Sequence, residues 1–171
     1  MAHYTTMTLI LSGISSEIST IIFTKPSIAN IQRSLSTLTE LQKLVMFHKH
    51  TEKPFSSRYN DLYEMGVYSC ALCNNALFSS SNKYDSGTGW PSFDMPISNR
   101  SVKYVIENVH TNRTAIKCYF CGAHLGHVFD DGPENTTGRR YCLNGVSMNF
   151  EGITKFGDNL SSPVFTRSNN L

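Results

Sequence analysis

The chain has 171 residues, enough for one domain with a real core and too few for two of ordinary size. Hydrophobic residues make up 40% and charged residues 16%, and a net charge of +2 offers no bulk attraction for a polyanion such as nucleic acid. Its five cysteines, an odd number, fit a fully disulfide-bonded secreted module poorly.

Residues 1–36 are rich in Ser, Thr and Ile, with no Lys or Arg before Lys25. Glu17 and several serines interrupt the apolar stretch from Met7 to Phe23, which reads neither as a signal peptide nor as a span of about 20 apolar residues. The expectation is a flexible N-terminal extension or a targeting segment, weakly like a mitochondrial presequence. The protein is expected to be soluble, cytoplasmic or mitochondrial, with no membrane partner.

At Thr39-Glu40-Leu41-Gln42 the pattern becomes a helix start, with Thr39 as N-cap and Gln42 placed to close a capping box. Leu41, Leu44, Val45 and His48 recur at helical spacing, and Pro54 ends the segment. A second short helix is expected from Tyr59 to Met65, closed by Gly66. From Val67 onward β-prone runs take over: Val67 to Ser69, Val102 to Ile106 and Arg113 to Lys117. Turn signals such as Asn74-Asn75, Ser86-Gly87, Asp131-Gly132-Pro133 and Thr137-Gly138 separate them. Tyr141 to Phe150 reads as a further strand, weakened by Gly145. The domain is placed at residues 37–157, mainly β with small helices in front, followed by a polar tail over 158–171.

Cys70-x-x-Cys73 and Cys118-x-x-Cys121 each let a tight turn aim two thiolates at one point. Two such turns complete a tetrahedron around zinc with no open position, so the site is structural. The long gap between the pairs must contain strands, and the metal would clamp two distant hairpins. Redox dithiols or plain buried cysteines are the other readings. A Cys2His2 site with His124 and His127 fails, because those histidines have two intervening residues instead of three to five and it would orphan Cys118 and Cys121.

Cys142 has no such partner. Arg139 and Arg140 precede it, and nearby cations favour a thiolate; a small buried hydrophobe is the bland alternative. His124 and His127, flanked by glycines just after the second pair, could face one pocket and move a proton near neutral pH. Trp90, the only tryptophan, sits between Gly89 and Pro91 on a constrained loop that can present the indole as an apolar wall.

Taken together, Cys70 to Cys73 with Leu77-Phe78, Ser86 to Phe93, Cys118 to Phe129 and Arg140 to Asn144 resemble the B-type methionine sulfoxide reductases, the peptide-methionine (R)-S-oxide reductases. The resemblance runs from about Leu38 to Phe150. It implies two antiparallel β-sheets with a four-cysteine zinc site away from catalysis. It also implies Cys142 as nucleophile on the sulfoxide sulfur, His124 and His127 protonating the departing oxygen, and Asn144 orienting the site. Trp90 would pack on the S-methyl group and help to select the R epimer; methionine would leave and Cys142 become a sulfenic acid. The role implied is repair of oxidised proteins and peptides, by a likewise expected monomer.

The sequence departs from many members at Thr88, where they carry a resolving cysteine. A one-cysteine cycle follows, with thioredoxin, glutaredoxin or glutathione as external reductant. Gly145 stands where the family often has Ser, which is expected to loosen the strand. The rival readings are a zinc-ribbon-like binding module, disfavoured for nucleic acid by dispersed Lys and Arg, and a redox sensor that uses Cys142 without turnover.

Overall fold

The computed structural model describes residues 27–108 and 113–153. Most of the expected extension and all of the 158–171 tail lie outside the described residues. Among residues 27–36, Ser27 caps a helix, α1 (Ile28–Thr37), by accepting from the Asn30 amide, and Ile31 packs against the core. Thr39 starts α2 (Glu40–His48) with both halves of the capping box in place. The Gln42 side chain also donates to the Val146 carbonyl at 3.1 Å, tying the helix start to the far end of the domain.

The buried face of α2 differs from the periodicity. Val45 and Met46 are buried, whereas Leu41 and Leu44 are 45% and 40% exposed. A short helix that docks along one edge, against β7 (His124–Phe129) and the turn at Gly145–Ser147, has only a narrow stripe to bury. No helix forms from Tyr59 to Met65, which is turns and bends. Side chains occupy the backbone groups that a helix would use. The Ser57 hydroxyl takes the Tyr59 amide at 3.1 Å, and the Tyr68 hydroxyl takes the Leu62 carbonyl at 3.1 Å.

The remaining strands are β1 (Gly66–Cys70), β2 (Ala76–Ser79), β3 (Lys83–Tyr84), β4 (Ser92–Phe93), β5 (Val102–Asn108), β6 (Arg113–Cys118), β8 (Arg140–Leu143) and β9 (Met148–Gly152). They form two sheets, β2-β1-β9 and β3-β4-β8-β7-β6-β5, and every pairing is antiparallel. The run expected as one strand from Tyr141 to Phe150 is thus two. The chain leaves the six-stranded sheet at Leu143, makes a 3-10 turn at Gly145–Ser147 and enters the three-stranded sheet at Met148. Gly145 is small because of packing: a Cβ there would run into the Ser57 hydroxyl. Its role is to let that turn seat closely, and no loosened strand results.

Aromatic side chains fill the space where the two sheets meet. Phe78 stacks on Phe93 at 4.6 Å, Tyr68 meets Phe93 edge-on at 5.0 Å, and Phe150 and Tyr141 close the cluster. Tyr68, Phe78 and Phe93 are fully buried, each worth about 1.5–3 kcal/mol of transfer free energy. This cluster fixes how β4 and β8 lie, and with them Cys142. No helix among the described residues is long and apolar enough to cross a membrane.

Candidate active site and metal centre

The four paired cysteines converge as expected. All four Sγ atoms lie within 4.8 Å of one another, with Cys70–Cys121 at 3.6 Å and Cys73–Cys118 at 3.5 Å. These separations exclude disulfides at about 2.05 Å and match the edge of roughly 3.8 Å in a tetrahedron of about 2.3 Å metal–sulfur bonds. The two knuckles repeat one local design. Asn74 and Gly122 take left-handed conformations (φ 57 and 75), and their amides donate to the carbonyls of Cys70 and Cys118 at 2.8 and 3.0 Å. The first knuckle closes the β1–β2 hairpin and the second the β6–β7 hairpin, so a metal here joins the two sheets.

The reactive candidates lie elsewhere, in one row across the six-stranded sheet. Register partners run Tyr84–Ser92–Cys142–His127–Ala115–Val105, with Cys142 and His127 in the middle. Antiparallel partners share a face of the sheet, with Cβ atoms about 4.5–5.5 Å apart. An open pocket of about 360 Å³ lies there, lined by Thr51, Trp90, His127, Cys142 and Asn144 among others. Gly126, beside His127, also lines it; a Cβ at Gly126 would overlap the Cys142 carbonyl.

Cys142 is not the low-pKa thiolate that two arginines suggested. Burial raises its pKa above the usual 9.0, and the Arg140 guanidinium and Thr88 hydroxyl only partly offset this. Strand alternation explains the shortfall. Arg140 shares the face of Cys142, but Arg139 points to the opposite face and interacts with Tyr141. Arg140 is also held by Asp131 in a bidentate pair, both contacts 2.9 Å. Thr88 continues into a chain of hydroxyls, 2.8 Å to Ser86 and 2.7 Å from Ser86 to Ser92, which ends on the Trp90 carbonyl at 3.1 Å.

The histidines divide rather than share the pocket. His127 lines it, while His124 is 1% exposed and lies behind, the two rings edge-on at 5.2 Å. Burial, helped by His127, pushes His124 down to about 4, and neither ring nitrogen has a hydrogen-bond partner among the described residues. His124 is therefore neutral near pH 7 and supports its neighbour from behind. His127 is also pushed below 6.5, by burial first, against the pull of Glu107.

Trp90 and Asn144 are placed by a residue the sequence did not single out. Glu52 is 2% exposed, and its carboxylate accepts from the amides of Gly145 and Val146 at 2.6 and 3.0 Å, capping the 3-10 turn. Its carbonyl accepts the Trp90 indole N–H at 3.1 Å, and its amide donates to Asn144 Oδ1 at 3.0 Å. Asn144 Nδ2 donates to the Leu125 carbonyl at 3.2 Å, so this side chain is spent on orienting the pocket wall. Burial raises the Glu52 pKa while the two amides oppose it. Every one of these bonds is long-range, and no local pattern around Glu52 announces them.

A family model described as the SelR domain matches residues 38–152. The chain is also similar to the peptide methionine sulfoxide reductases MsrB of Burkholderia thailandensis and Burkholderia pseudomallei, each 46% identical over 115 residues. Those alignments cover 67% of this chain and 80% of each relative. The protein of the same name from Burkholderia ambifaria is 44% identical over the same length.

Proposed function

Because the chain belongs to the SelR domain family, and so to the peptide methionine sulfoxide reductases, we propose that Cys142 attacks the sulfur of methionine-R-sulfoxide in peptides and oxidised proteins. The observation that carries this reading is the cross-strand pairing of Cys142 with His127 at the floor of a pocket walled by Trp90.

With a raised thiol and a lowered imidazole, the resting pair is neutral: Cys142 as thiol, His127 as free base. The thiol proton passes to His127 and from there to the sulfoxide oxygen, which is a poor leaving group until protonated. Attack bonds Cys142 Sγ to the substrate sulfur; that bond and the substrate's sulfur–oxygen bond then break as the protonated oxygen passes to Sγ, giving methionine and a sulfenic acid. Two external thiols then restore Cys142, releasing water and their own disulfide.

Stereochemistry follows from three fixed directions around a pyramidal sulfur. The oxygen goes to His127, the methyl group to the Trp90 indole, and the peptide out through the pocket mouth. Exchanging oxygen and methyl puts each against the wrong wall, so one epimer reacts; the B-type family assigns it as R. Asn144 and Glu52 keep the walls in place. Cys70, Cys73, Cys118 and Cys121 hold one zinc ion, a closed thiolate site with a structural task.

All five cysteines are free, and four belong to the metal cluster. Thr88 touches Cys142 where many relatives carry a resolving cysteine, so thioredoxin, glutaredoxin or glutathione must reach the sulfenic acid through the pocket mouth. Multiple-turnover reduction of resolved R- and S-sulfoxide peptides with dithiothreitol tests the proposal. Turnover of the R epimer alone is expected; no turnover would leave a binding module or a sensor.

A further inference from the structure

We infer that Glu107 is a positioning residue for His127, its carboxylate holding the ring proton on Nε2 and leaving Nδ1 as the one basic atom of the imidazole. The inference deepens the reading of His127 as proton carrier and rests on it for its catalytic consequence.

Opposite His127 on β6 stands Ala115, so the sheet row gives the ring no acceptor; Arg113, the β6 residue that does reach it, only donates. The partner comes from one strand further. The β5–β6 register shifts between Ile106 and Asn108, and such a bulge re-aims a side chain. Glu107 sits at that shift, with Oε2 3.1 Å from His127 Nε2. Its other oxygen accepts from Lys49 Nζ at 2.8 Å, and Arg113 Nε stands 3.7 Å from Oε2. Lys49 is the C-cap of α2 in a left-handed conformation (φ 58), so the helix end also fixes this carboxylate. Four groups from three strands and a helix end thus converge beside the pocket.

Two contacts compete at one atom. His127 Nε2 lies 3.1 Å from Glu107 and also 3.1 Å from Arg113 Nε. A guanidinium only donates and a carboxylate only accepts, so Nε2 can serve one of them at a time. Lys49 foremost, with help from His127, pushes Glu107 down to about 2, so its charge is present throughout the working range. A bare Nε2 would set its lone pair against that charge. The proton therefore stays on Nε2, and the Arg113 N–H, which is directed at Nε2 in the structure, turns toward Glu107, 3.7 Å away.

The charged and titratable groups around His127 are Glu107 from β5, Arg113 from β6, His124 from β7, Lys49 from the end of α2, and its register partner Cys142 on β8. Burial, Arg113 and Lys49 all weaken the hold of His127 on a second proton, and Glu107 opposes them.

The test is ¹⁵N NMR of the histidine side chains in the full-length metal-loaded protein, for wild type, Glu107→Gln and Glu107→Ala. Wild type should show His127 protonated on Nε2 at pH 8. Glu107→Gln keeps an acceptor oxygen without charge; it should retain that tautomer and titrate about one pH unit lower. Glu107→Ala should release a mixture of tautomers. Unchanged His127 tautomer and titration in both variants overturns the inference, even if both melt earlier, because that pattern belongs to a merely structural link. The acid limb of activity separates the two readings. If it moves with His127 in Glu107→Gln, the inference and the proton-carrier role both hold. If His127 moves and the limb stays, Glu107 still positions the ring, and the proton-carrier role is lost.

Discussion

Cys142 and His127 are register partners on adjacent antiparallel strands, β8 and β7, and burial moves their proton affinities apart in the unproductive sense. The competent ion pair, thiolate with imidazolium, carries the same number of protons as the neutral pair that dominates. Its population is therefore constant between the two pKa values. The expected kcat/KM profile is a broad plateau that falls below the lowered His127 value, under pH 6.5, and above the raised Cys142 value, beyond pH 9. A single rise near pH 7 would instead identify an activated thiolate. Thr88→Val, which deletes a hydroxyl that lowers the Cys142 pKa, should move the alkaline limb higher and lower the plateau.

After one turnover without reductant, mass spectrometry should find one oxygen on Cys142 and no disulfide. Cys142→Ser should abolish turnover. Thr88→Cys should place a second thiol beside the sulfenic acid, replace the added oxygen by an intramolecular disulfide, and change which reductants are efficient.

Metal content should be one zinc per chain. Cys118→Ser breaks the tetrahedron and unties the β6–β7 hairpin from β1. The expected cost is at least about 3 kcal/mol, a fall in Tm of roughly 10 °C or more, with the metal lost in parallel. Calorimetry with metal analysis checks it; an unchanged Tm in metal-free protein would show that the sheets need no clamp.

Trp90→Ala removes the apolar wall and leaves the Glu52 carbonyl without its indole donor. A drop in kcat/KM of roughly 10- to 200-fold is expected for the R-sulfoxide, together with weaker discrimination against the S epimer. Assays on both resolved epimers read the two effects separately.

Glu52→Ala strands a buried amide at Gly145 and a part-buried one at Val146, and frees the loop that carries the indole acceptor. A loss of about 2–4 kcal/mol in urea unfolding is expected, accompanied by reduced kcat. Wild-type stability with full activity would remove Glu52 from its place in the pocket wall.

What the sequence revealed depended on how local the physics was. The capping box at Thr39–Gln42 and both cysteine knuckles are settled within a few residues, and the structure has them where the pattern places them. The three β-prone runs became β1, β5 and β6. Non-local contacts decided what was misread. Tyr59–Met65 looks helical until Ser57 and Tyr68 claim its backbone. Arg139 and Arg140 look equivalent until strand alternation sends them to opposite faces. His124 and His127 look like a pair until burial separates their exposure. Glu52 and Glu107 carry no motif at all, because each acts on residues from distant strands or loops.

The switch of sheets between Leu143 and Met148 also sets an order of assembly. Met148 pairs with Cys70 and Gly145 bonds to Glu52, so the segment after Cys142 reaches its final seat only when distant parts of the domain meet. Pairings between such distant positions form late, after local hairpins. A chain that has made only its hairpins therefore pairs Cys142 with His127 but lacks the indole wall, which Glu52 and β4 bring from far along the sequence. The pocket around Cys142 is thus completed by the longest-range contacts of the fold, and its walls are the last part of it to be assembled.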